Sequence, residues 1–459
     1  MKNTHRKFSF LLLASALFAA GCGTETPPKN MMTSQAPPNS TTWAISGYTV
    51  TVNGKAFFGN GVSYSPIPWG TCSAFNPYGD FTINTWSSVW QRDLTLMRAN
   101  NVNLIKTYNT LDSVQLVNAG DPYTWDHDHS HFLDSCWNNG NNPVYVLMGY
   151  APPKNQSSIF FSDTWSDPAN VAARAVIKSS LVKLAKKWGS YPAVMGFVMA
   201  NEINASNIIN SSQFFTYWNN VALAMDSAAP GKLVTLANVD DGMNTVNAGN
   251  PYMTSPNFFW GYNSYRGNWT NSNGFDNMFS AFATATASNK HPLMLTEWGA
   301  PACAQDTGGA IINMSASQMQ DLVTYVTGHY GNMVANRSDD STGVCCGGAY
   351  FEWTDEWWKA DPAGMQCNQP NAAPACHTGI WDASGTPWLP NFPGHYWDEE
   401  GFGLFSITPV SPSTRVPVVS GGCIGPWNPK TNQPYPADSL GMRPHATALF
   451  SAMKNSMAH

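Results

Sequence analysis

The sequence contains few charged residues. Asp, Glu, Lys and Arg make up only 11% of the 459 residues, against roughly 25% in an average soluble domain. Its 23 Lys and Arg form no basic stripe and the net charge is −6, which excludes a typical nucleic-acid-binding protein. Aromatic residues reach 13%, too many for a disordered chain. The chain is also far too long for a small disulfide-rich domain.

Several chemical signatures are absent as well. No Gly-x-Gly-x-x-Gly follows the first predicted strand, which weakens a dinucleotide-binding prediction. No Gly-x-Ser-x-Gly occurs, which disfavours a serine hydrolase, and no Cys-x-x-Cys occurs that would predict a thiolate metal site. The segment 126–131, Asp-His-Asp-His-Ser-His, could suggest a metal site, but it precedes a helical pattern and is interpreted as a polar helix start. Nothing in the sequence calls for a metal or an organic cofactor.

The N-terminus has the pattern of a bacterial export signal. Basic residues precede an apolar run over residues 8–20, which is too short to span a bilayer. Ala-Ala-Gly then leads into Cys22, which resembles a lipobox and implies lipidation of that cysteine. Residues 1–22 are thus predicted to be a lipoprotein signal, and Gly23 in place of Asp favours the outer membrane or cell surface. An ordinary signal peptide with an incidental cysteine is the alternative.

The segment 23–41 is rich in Pro, Thr, Ser and Asn, which predicts a flexible tether. No other run is apolar enough to span a bilayer, so membrane attachment is expected through the lipid alone. Eight further cysteines follow, and their even number in an exported chain favours disulfides. Eight cysteines allow 105 pairings, so the sequence assigns none. They are Cys72, Cys136, Cys303, Cys345, Cys346, Cys367, Cys376 and Cys423.

Strand and helix patterns alternate over the rest of the chain. The Asn53-Gly54 turn between two apolar runs predicts a short β-hairpin over residues 48–58. Eight short apolar runs follow, and helical patterns of 3.6-residue spacing come after most of them. The predicted strands are residues 59–65, 103–109, 143–150, 194–201, 233–239, 257–265, 292–297 and 348–353. The predicted helices include residues 85–100, 169–189, 212–228, 276–288, 315–336 and 443–455.

Eight such repeats predict the α/β class and a closed (β/α)8 TIM barrel, formed by one domain over residues 42–459. A loop-rich insertion over residues 361–441 is predicted after strand eight, and an open doubly wound sheet is the competing fold. A chain poor in charge but rich in Trp, Tyr, Asn, Gly and Ser suits a neutral polymeric ligand, with carbohydrate first. Part of the 19 Trp is expected in the core.

Two of the predicted strands end in a glutamate. The fourth ends in Asn201-Glu202 and the seventh in Thr296-Glu297-Trp298. Catalytic groups of a (β/α)8 barrel lie at the C-terminal ends of its strands. Retaining glycosidases need two carboxyl groups about 5–5.5 Å apart, one protonated to donate to the leaving oxygen and one ionised to attack the anomeric carbon.

These strand ends resemble those of glycoside hydrolase clan A, the retaining (β/α)8 glycosidases, and the resemblance covers about residues 48–455. Residues 52–64, Val-Asn-Gly-Lys-Ala-Phe-Phe-Gly-Asn-Gly-Val-Ser-Tyr, are similar to the entry of family 2 catalytic barrels and of family 72 beta-1,3-glucanosyltransferases. Residues 93–109 resemble the helix and second strand of those families. Residues 263–265, Asn-Ser-Tyr, resemble a family 2 strand whose Tyr touches the nucleophile.

The resemblance implies a role for individual residues. Glu202 would be the acid/base, and Glu297 the nucleophile of a double displacement through a covalent glycosyl-enzyme. Asn201 would hold the sugar 2-hydroxyl, and Tyr265 would bond to Glu297. Trp353 would form the floor under the sugar, with a plain core position as the equal alternative.

Lys106 departs from the clan pattern, which usually has Arg on strand two near the nucleophile. Lys is a point charge without the Arg fork. We expect Lys106 to keep Glu297 ionised and to belong, with Tyr64, to the substrate-binding residues; a weakened site is the alternative. Three acidic residues near the end of strand eight either line the cleft or pack in loops: Glu352, Asp355 and Glu356.

The sequence therefore predicts an exported, lipid-anchored, monomeric retaining glycoside hydrolase. The expected partner is a beta-linked polysaccharide or oligosaccharide, with beta-1,3-glucan first because of the family 72-like features; beta-mannan and other beta-glycans remain open. One alternative is a transglycosylase that uses the same two glutamates and passes the glycosyl unit to a sugar. The other is a non-catalytic glycan-binding lipoprotein, which only Lys106 favours.

Overall fold

The structure is a computed structural model, and its described residues begin at Thr41. They are residues 41–68, 81–108, 110, 128–150, 157–160, 163–202, 211–267, 274–305, 311–340, 342–356, 392–397, 399–408, 427–428, 433–434 and 437–457. The predicted signal, Cys22 and nearly all of the tether lie outside this set, as does most of the predicted insertion. None of the helices described is long and apolar enough to cross a membrane.

A small antiparallel sheet precedes the barrel. It consists of β1 (Trp43–Ser46), β2 (Thr49–Val52) and β3 (Lys55–Ala56). The predicted Asn53-Gly54 turn joins β2 to β3, and both residues have positive φ, 51° and 77°, as a tight hairpin turn requires. The hairpin prediction is confirmed, and β1 is an additional strand.

Eight parallel strands form a closed barrel. They are β4 (Gly59–Tyr64), β5 (Leu104–Thr107), β6 (Tyr145–Gly149), β7 (Val194–Asn201), β8 (Leu233–Val239), β9 (Phe258–Asn263), β10 (Leu293–Trp298) and, after the hairpin of β11 (Cys303–Gln305) and β12 (Ile311–Asn313), β13 (Cys345–Tyr350). β13 pairs with both β10 and β4, which closes the ring. The TIM-barrel prediction is confirmed and the open sheet is wrong.

Helices follow most barrel strands. They are α1 (Ser87–Ala99), α2 (Ser130–Trp137), α3 (Pro168–Trp188), α4 (Ser211–Ala228), α5 (Asn244–Gly249), α6 (Met278–Ala285), α7 (Ala316–Ala335) and α8 (Pro444–Ser456). Short antiparallel pairs precede α8: β14 (Phe405–Thr408) with β17 (Ser439–Met442), and β15 (Trp427–Asn428) with β16 (Gln433–Pro434). Local sequence explains the helix starts: Asp167 caps α3 before Pro168, and Ser315 and Gln318 form a capping box on α7.

The last barrel strand begins three residues earlier than predicted. Gly347 and Gly348 pair with Gly59 and Asn60 of β4. A Cβ atom on Gly347 would lie 2.4 Å from the Gly59 backbone, so only glycine allows this approach. Glycines are typical of turns in sequence patterns, which is why the prediction placed the start too late.

The barrel interior is apolar at its N-terminal end. Trp43 of β1 packs edge-on against Phe57 and Tyr145, with ring centroids 4.9 and 4.7 Å apart. The same cluster includes Leu104, Leu147, Phe259, Met294 and Cys346. Because inward positions recur every second residue, Lys106 follows Leu104 one layer higher in β5. The N-terminal sheet therefore closes the bottom of the barrel, and polar side chains begin above it.

The cysteine prediction needs correction. Cys136, Cys345 and Cys346 are free and buried, whereas Cys303 is disulfide-bonded. The other four lie outside the described residues. Cys136 packs in the helix–barrel core and Cys346 fills the barrel interior, where a thiol acts as a small apolar side chain. An even count could not separate such cysteines from paired ones.

Candidate active site

Glu297 on β10 lies at the centre of the barrel mouth and is only 4% exposed. Its Oε1 accepts hydrogen bonds from Lys106 Nζ at 2.5 Å and from the Tyr108 hydroxyl at 2.8 Å. Its Oε2 accepts from the Tyr265 hydroxyl at 2.8 Å. Three donors, two from β5 and the residue after it and one from the segment after β9, thus hold both carboxylate oxygens, and hydrogen bonds to a charged group are the strong ones.

Both tyrosine hydroxyls are protonated donors. Burial raises the pKa of Tyr108 well above its usual value, and the charges of Glu297 and Glu352 add to the effect. Burial likewise raises the pKa of Tyr265, again with Glu297 contributing. Neither hydroxyl therefore loses its proton near neutral pH, and each continues to donate to the carboxylate.

Lys106 reaches the site from β5 and is 1% exposed. Besides its bond to Glu297, its Nζ donates to Asn201 Oδ1 at 2.9 Å. It also lies 4.1 Å from the centroid of the Tyr108 ring, within the range of a cation–π contact. Lys106 therefore contacts the predicted nucleophile directly.

Glu202 is the first residue after β7 and has a different environment. Its backbone is left-handed, with φ at +52°, which is uncommon for a residue with a side chain. The Glu202 N–H donates to Ala237 O of β8 at 2.7 Å, which holds this turn. The side chain is exposed, and its Oε1 accepts from Asn263 Nδ2 at 3.1 Å. The two carboxyl groups therefore differ in environment: Glu297 is buried and paired with the Lys106 ammonium group, whereas Glu202 is exposed.

Two residues of this network were not among the predicted site residues. Tyr108 shares a strand side with Lys106 because it follows two positions later. Asn263 ends β9, and its Nδ2 contacts both Glu202 and, at 3.4 Å, Asn201 Oδ1. Both positions could have been found from strand alternation and strand ends, the same signals that identified the glutamates.

Aromatic side chains surround Tyr265. Trp397 meets it edge-on at a centroid distance of 4.8 Å, and Phe402 lies at 5.7 Å. Phe351, just after β13, lies 6.2 Å from both Tyr265 and Tyr108. Tyr265 and Trp397 are partly exposed, whereas Phe351 and Phe402 are buried. Tyr265, which bonds to Glu297, and its neighbour Trp397 therefore present accessible aromatic surface.

Trp353 does not belong to this surface. It is fully buried and packs against Phe405 and, on α8, Phe450, with centroid distances of 4.5 and 6.2 Å. The predicted role as a floor under the sugar is wrong, and the alternative of a core Trp is confirmed. The chain leaves the strand after Tyr350, so strand alternation no longer predicts where position 353 faces.

Tyr64 also lies away from the site. Its hydroxyl donates to Asp93 of α1 at 2.8 Å, and its ring stacks on Phe132 of α2. The register explains this position: Ser63 is paired with Lys106, whereas Tyr64 is paired with Thr107 on the outward side. The prediction that Tyr64 binds substrate is therefore wrong.

The acidic residues near the end of strand eight also have different surroundings. Asp355 forms a bidentate ion pair with Arg443, at 2.5 and 2.7 Å, and accepts from the Gly403 N–H. Asp355 therefore packs in a loop and does not line the cleft, which is one of the two alternatives given above for these acidic residues. Glu352 is fully buried, and its charge contributes to the raised pKa of Tyr108.

The segment with alternating Asp and His begins a helix. Asp128 Oδ1 accepts from the Ser130 N–H at 2.8 Å at the start of α2, and its Oδ2 accepts from Asn84. Over the described ranges, no three His, Cys, Asp or Glu side chains are placed to hold a metal. The interpretation of this segment as a polar helix start is confirmed by the Asp128 contact.

No protein-family model matches the sequence, and no curated protein matches it. Among solved structures, a beta-glucuronidase of Bifidobacterium dentium complexed with coumarin-3-O-glucuronide is similar, with a TM-score of 0.50 and 14% identity over 90% of this chain and 49% of that one. A hyperthermostable endocellulase gives 0.47 at 14% identity over 70% and 92% of the two chains. A beta-mannanase of the blue mussel Mytilus edulis gives 0.42 at 15% identity over 68% and 91%. The chain spans about half the length of the beta-glucuronidase, and the likeness to it supports the barrel fold alone.

Proposed function

We propose that this chain is a retaining glycoside hydrolase that acts on a beta-linked polysaccharide or oligosaccharide. Glu297 is the nucleophile and Glu202 the acid/base. The observation that carries the proposal is the buried Glu297 carboxylate, held by Lys106, Tyr108 and Tyr265, at the same barrel mouth as the exposed Glu202. The resemblance of both strand ends to clan A supports it independently.

The reaction has two steps. In the first, Glu202 gives its proton to the glycosidic oxygen while a Glu297 oxygen attacks the anomeric carbon; the glycosidic bond breaks and a glycosyl ester forms. In the second, Glu202 takes a proton from water as the water oxygen attacks the same carbon and releases the Glu297 carboxylate.

The donors around Glu297 distinguish its two oxygens. Oε1 accepts from two donors, Lys106 and Tyr108, whereas Oε2 accepts only from Tyr265 among the described residues. We assign Oε2 as the attacking atom, because it keeps the more available lone pair. Oε1 then stays bonded to the donors that hold the carboxylate in place.

Beta-1,3-glucan is the first substrate we propose, because residues 52–64 and 93–109 resemble family 72 enzymes. Trp397 and Tyr265 give an aromatic surface on which a sugar ring could pack. A transglycosylase remains a second candidate, since it would use the same two glutamates. A lectin role is less favoured, because Lys106, its only support, bonds to Glu297. Export and lipidation at Cys22 belong to the proposal through the lipobox-like sequence.

The test compares the chain from residue 23 onward with its Glu297→Gln variant. Both are incubated with beta-1,3-, beta-1,4- and beta-1,6-glucans, mannan, their oligomers and an aryl beta-glucuronide, and products are sized by mass spectrometry. Shorter products from the wild type alone are expected. Products longer than the input would instead favour the transglycosylase, and binding without cleavage would favour the lectin. Failure to bind any glycan would contradict a carbohydrate function.

A further inference from the structure

Lys106 bonds to two residues of the site at once. Its Nζ lies 2.5 Å from Glu297 Oε1 and 2.9 Å from Asn201 Oδ1. An ammonium group has only donors, so the Asn201 atom that faces it must be the amide oxygen. The chemistry of Lys106 therefore fixes which way the Asn201 amide points.

A second amide enforces the same orientation. Asn263 Nδ2 donates to Asn201 Oδ1 at 3.4 Å and to Glu202 Oε1 at 3.1 Å, while its own Oδ1 accepts from Thr296 Oγ1 at 2.8 Å. Because the Thr296 hydroxyl occupies the Asn263 oxygen, the Asn263 nitrogen is the atom that faces Glu202 Oε1, and it can only donate. Both amides are thus aligned by their neighbours.

The Asn201 oxygen is therefore occupied by two donors. Asn201 ends β7 and is only partly buried. Its Nδ2 has no hydrogen bond to any residue that the structure describes. The amide nitrogen is the part of this side chain that remains for a ligand, and it can only donate.

We propose that Lys106 is a positioning residue that makes Asn201 a donor-only contact for the substrate. The inference rests on the proposed function for the identity of the ligand, a sugar hydroxyl beside the anomeric carbon. Because linked hydrogen bonds polarise one another, the ammonium also makes the Asn201 N–H a stronger donor. Lys106 thereby couples the nucleophile to the residue that holds the sugar.

Nuclear magnetic resonance of asparagine-labelled protein tests the orientation without any substrate. The side-chain NH2 signals of Asn201 are assigned by their loss in Asn201→Ala. We expect them to move or broaden in Lys106→Met and in the milder Lys106→Gln, and to stay in place in Lys55→Met, a control at an exposed lysine. Unchanged signals in a folded Lys106→Gln would overturn the proposal, even if Lys106→Met fails to fold.

A double-mutant cycle on laminarihexaose cleavage tests the coupling. We expect Lys106→Met and Asn201→Ala each to lower kcat/KM by on the order of 10²-fold. In the Lys106→Met background, Asn201→Ala should lower kcat/KM further by less than about 10-fold, because the amide is then no longer aligned. Lys106→Arg, which keeps charge and donors, should recover most of the rate. Independent, multiplying losses would contradict the coupling. If laminarihexaose is not cleaved at all, the proposed function is in question, while the resonance experiment still decides the role of Lys106.

Discussion

Two lysines are buried at opposite ends of the same barrel, and their surroundings differ. Lys106 at the mouth is 1% exposed and Lys232, just before β8 at the bottom, is 3% exposed. Lys106 meets the carboxylate of Glu297. Lys232 has only neutral acceptors among the residues described. They are Thr41 Oγ1 at 3.0 Å, Tyr191 O at 3.2 Å and Val194 O at 2.8 Å.

The difference separates an anchoring lysine from a site lysine. Burial lowers the pKa of Lys232 to about 7, because no counter-charge compensates for its lost hydration. Its bonds tie Thr41, which precedes β1, to the bottom of the barrel. Lys106 instead completes a charged group at the mouth. This matches the general division of a TIM barrel, in which the bottom gives stability and the top gives function.

Replacing the two lysines should give the largest contrast. Lys106→Met leaves Glu297 as an unpaired buried charge and is expected to cost about 3–5 kcal/mol of unfolding free energy, together with the loss of rate given above. Lys232→Met removes no ion pair and should cost no more than about 1–2 kcal/mol, with catalysis unchanged. Urea unfolding of both variants measures this. Equal losses of unfolding free energy would mean that the Lys106–Glu297 ion pair contributes no more to stability than the neutral contacts of Lys232.

Substitutions at the two aromatic positions after β13 should likewise separate an effect on stability from an effect on rate. Trp353→Leu is expected to lower stability by about 2–3 kcal/mol while leaving kcat/KM within a few-fold. Phe351→Leu removes the ring between Tyr108 and Tyr265 and should reduce kcat/KM by about 10-fold. Thermal unfolding and oligosaccharide cleavage measured on both variants check the contrast. A larger loss of kcat/KM in Trp353→Leu than in Phe351→Leu would place Trp353 in the active site instead.

The pH dependence of stability should reveal the lowered pKa of Lys232 in the folded protein. In the unfolded chain a lysine keeps its proton up to about pH 10.4, whereas the folded chain releases it near pH 7. The unfolded state therefore binds more protons between these values, and stability rises with pH there. We expect the wild type to gain up to about 1.4 kcal/mol per pH unit relative to Lys232→Met. A flat difference between pH 7 and 10 would show that the amine stays charged when folded.

Two tyrosine substitutions give the smallest effects on stability. Tyr64→Phe breaks the bond to Asp93 and should cost about 1 kcal/mol with no change in rate. Tyr265→Phe should cost rate instead, about 10-fold, because it removes a donor from Glu297. Comparison of kcat/KM with the unfolding free energy for both variants is decisive. A rate loss in Tyr64→Phe would contradict its position outside the site.

Much of this architecture follows from sequence patterns. The eight apolar runs and the helices between them predict the barrel, since burial on both faces leaves short continuous runs. Strand ends predict Glu202, Glu297 and Asn201. Alternation failed where the backbone is irregular: position 353 lies beyond the strand. Tyr64 lies within a regular strand, but its face depends on the register with β5, which one strand's sequence does not reveal.

The resemblance implies that Lys106 acts on Glu297, but its second bond, to Asn201, could not be predicted from the sequence for a related reason. Its contacts come from β7 and β10, strands far away in the chain, and only closure of the barrel brings them together. The cysteines behave similarly, because burial of Cys136 and Cys346 depends on packing rather than on their number. Position along a strand could be predicted from sequence, while partners across the barrel required the structure.

Covalent trapping tests the central claim most directly. With 2,4-dinitrophenyl 2-deoxy-2-fluoro-beta-laminaribioside, a Glu297 oxygen should bond to the anomeric carbon as dinitrophenolate leaves, and the slowed second step should preserve the ester. Mass spectrometry of the digested protein is expected to find the added disaccharide on the peptide that contains Glu297, and to find none in Glu297→Gln. A label on a different residue, or cleavage of beta-1,3-glucan without any label, would contradict the assignment of Glu297 as the nucleophile.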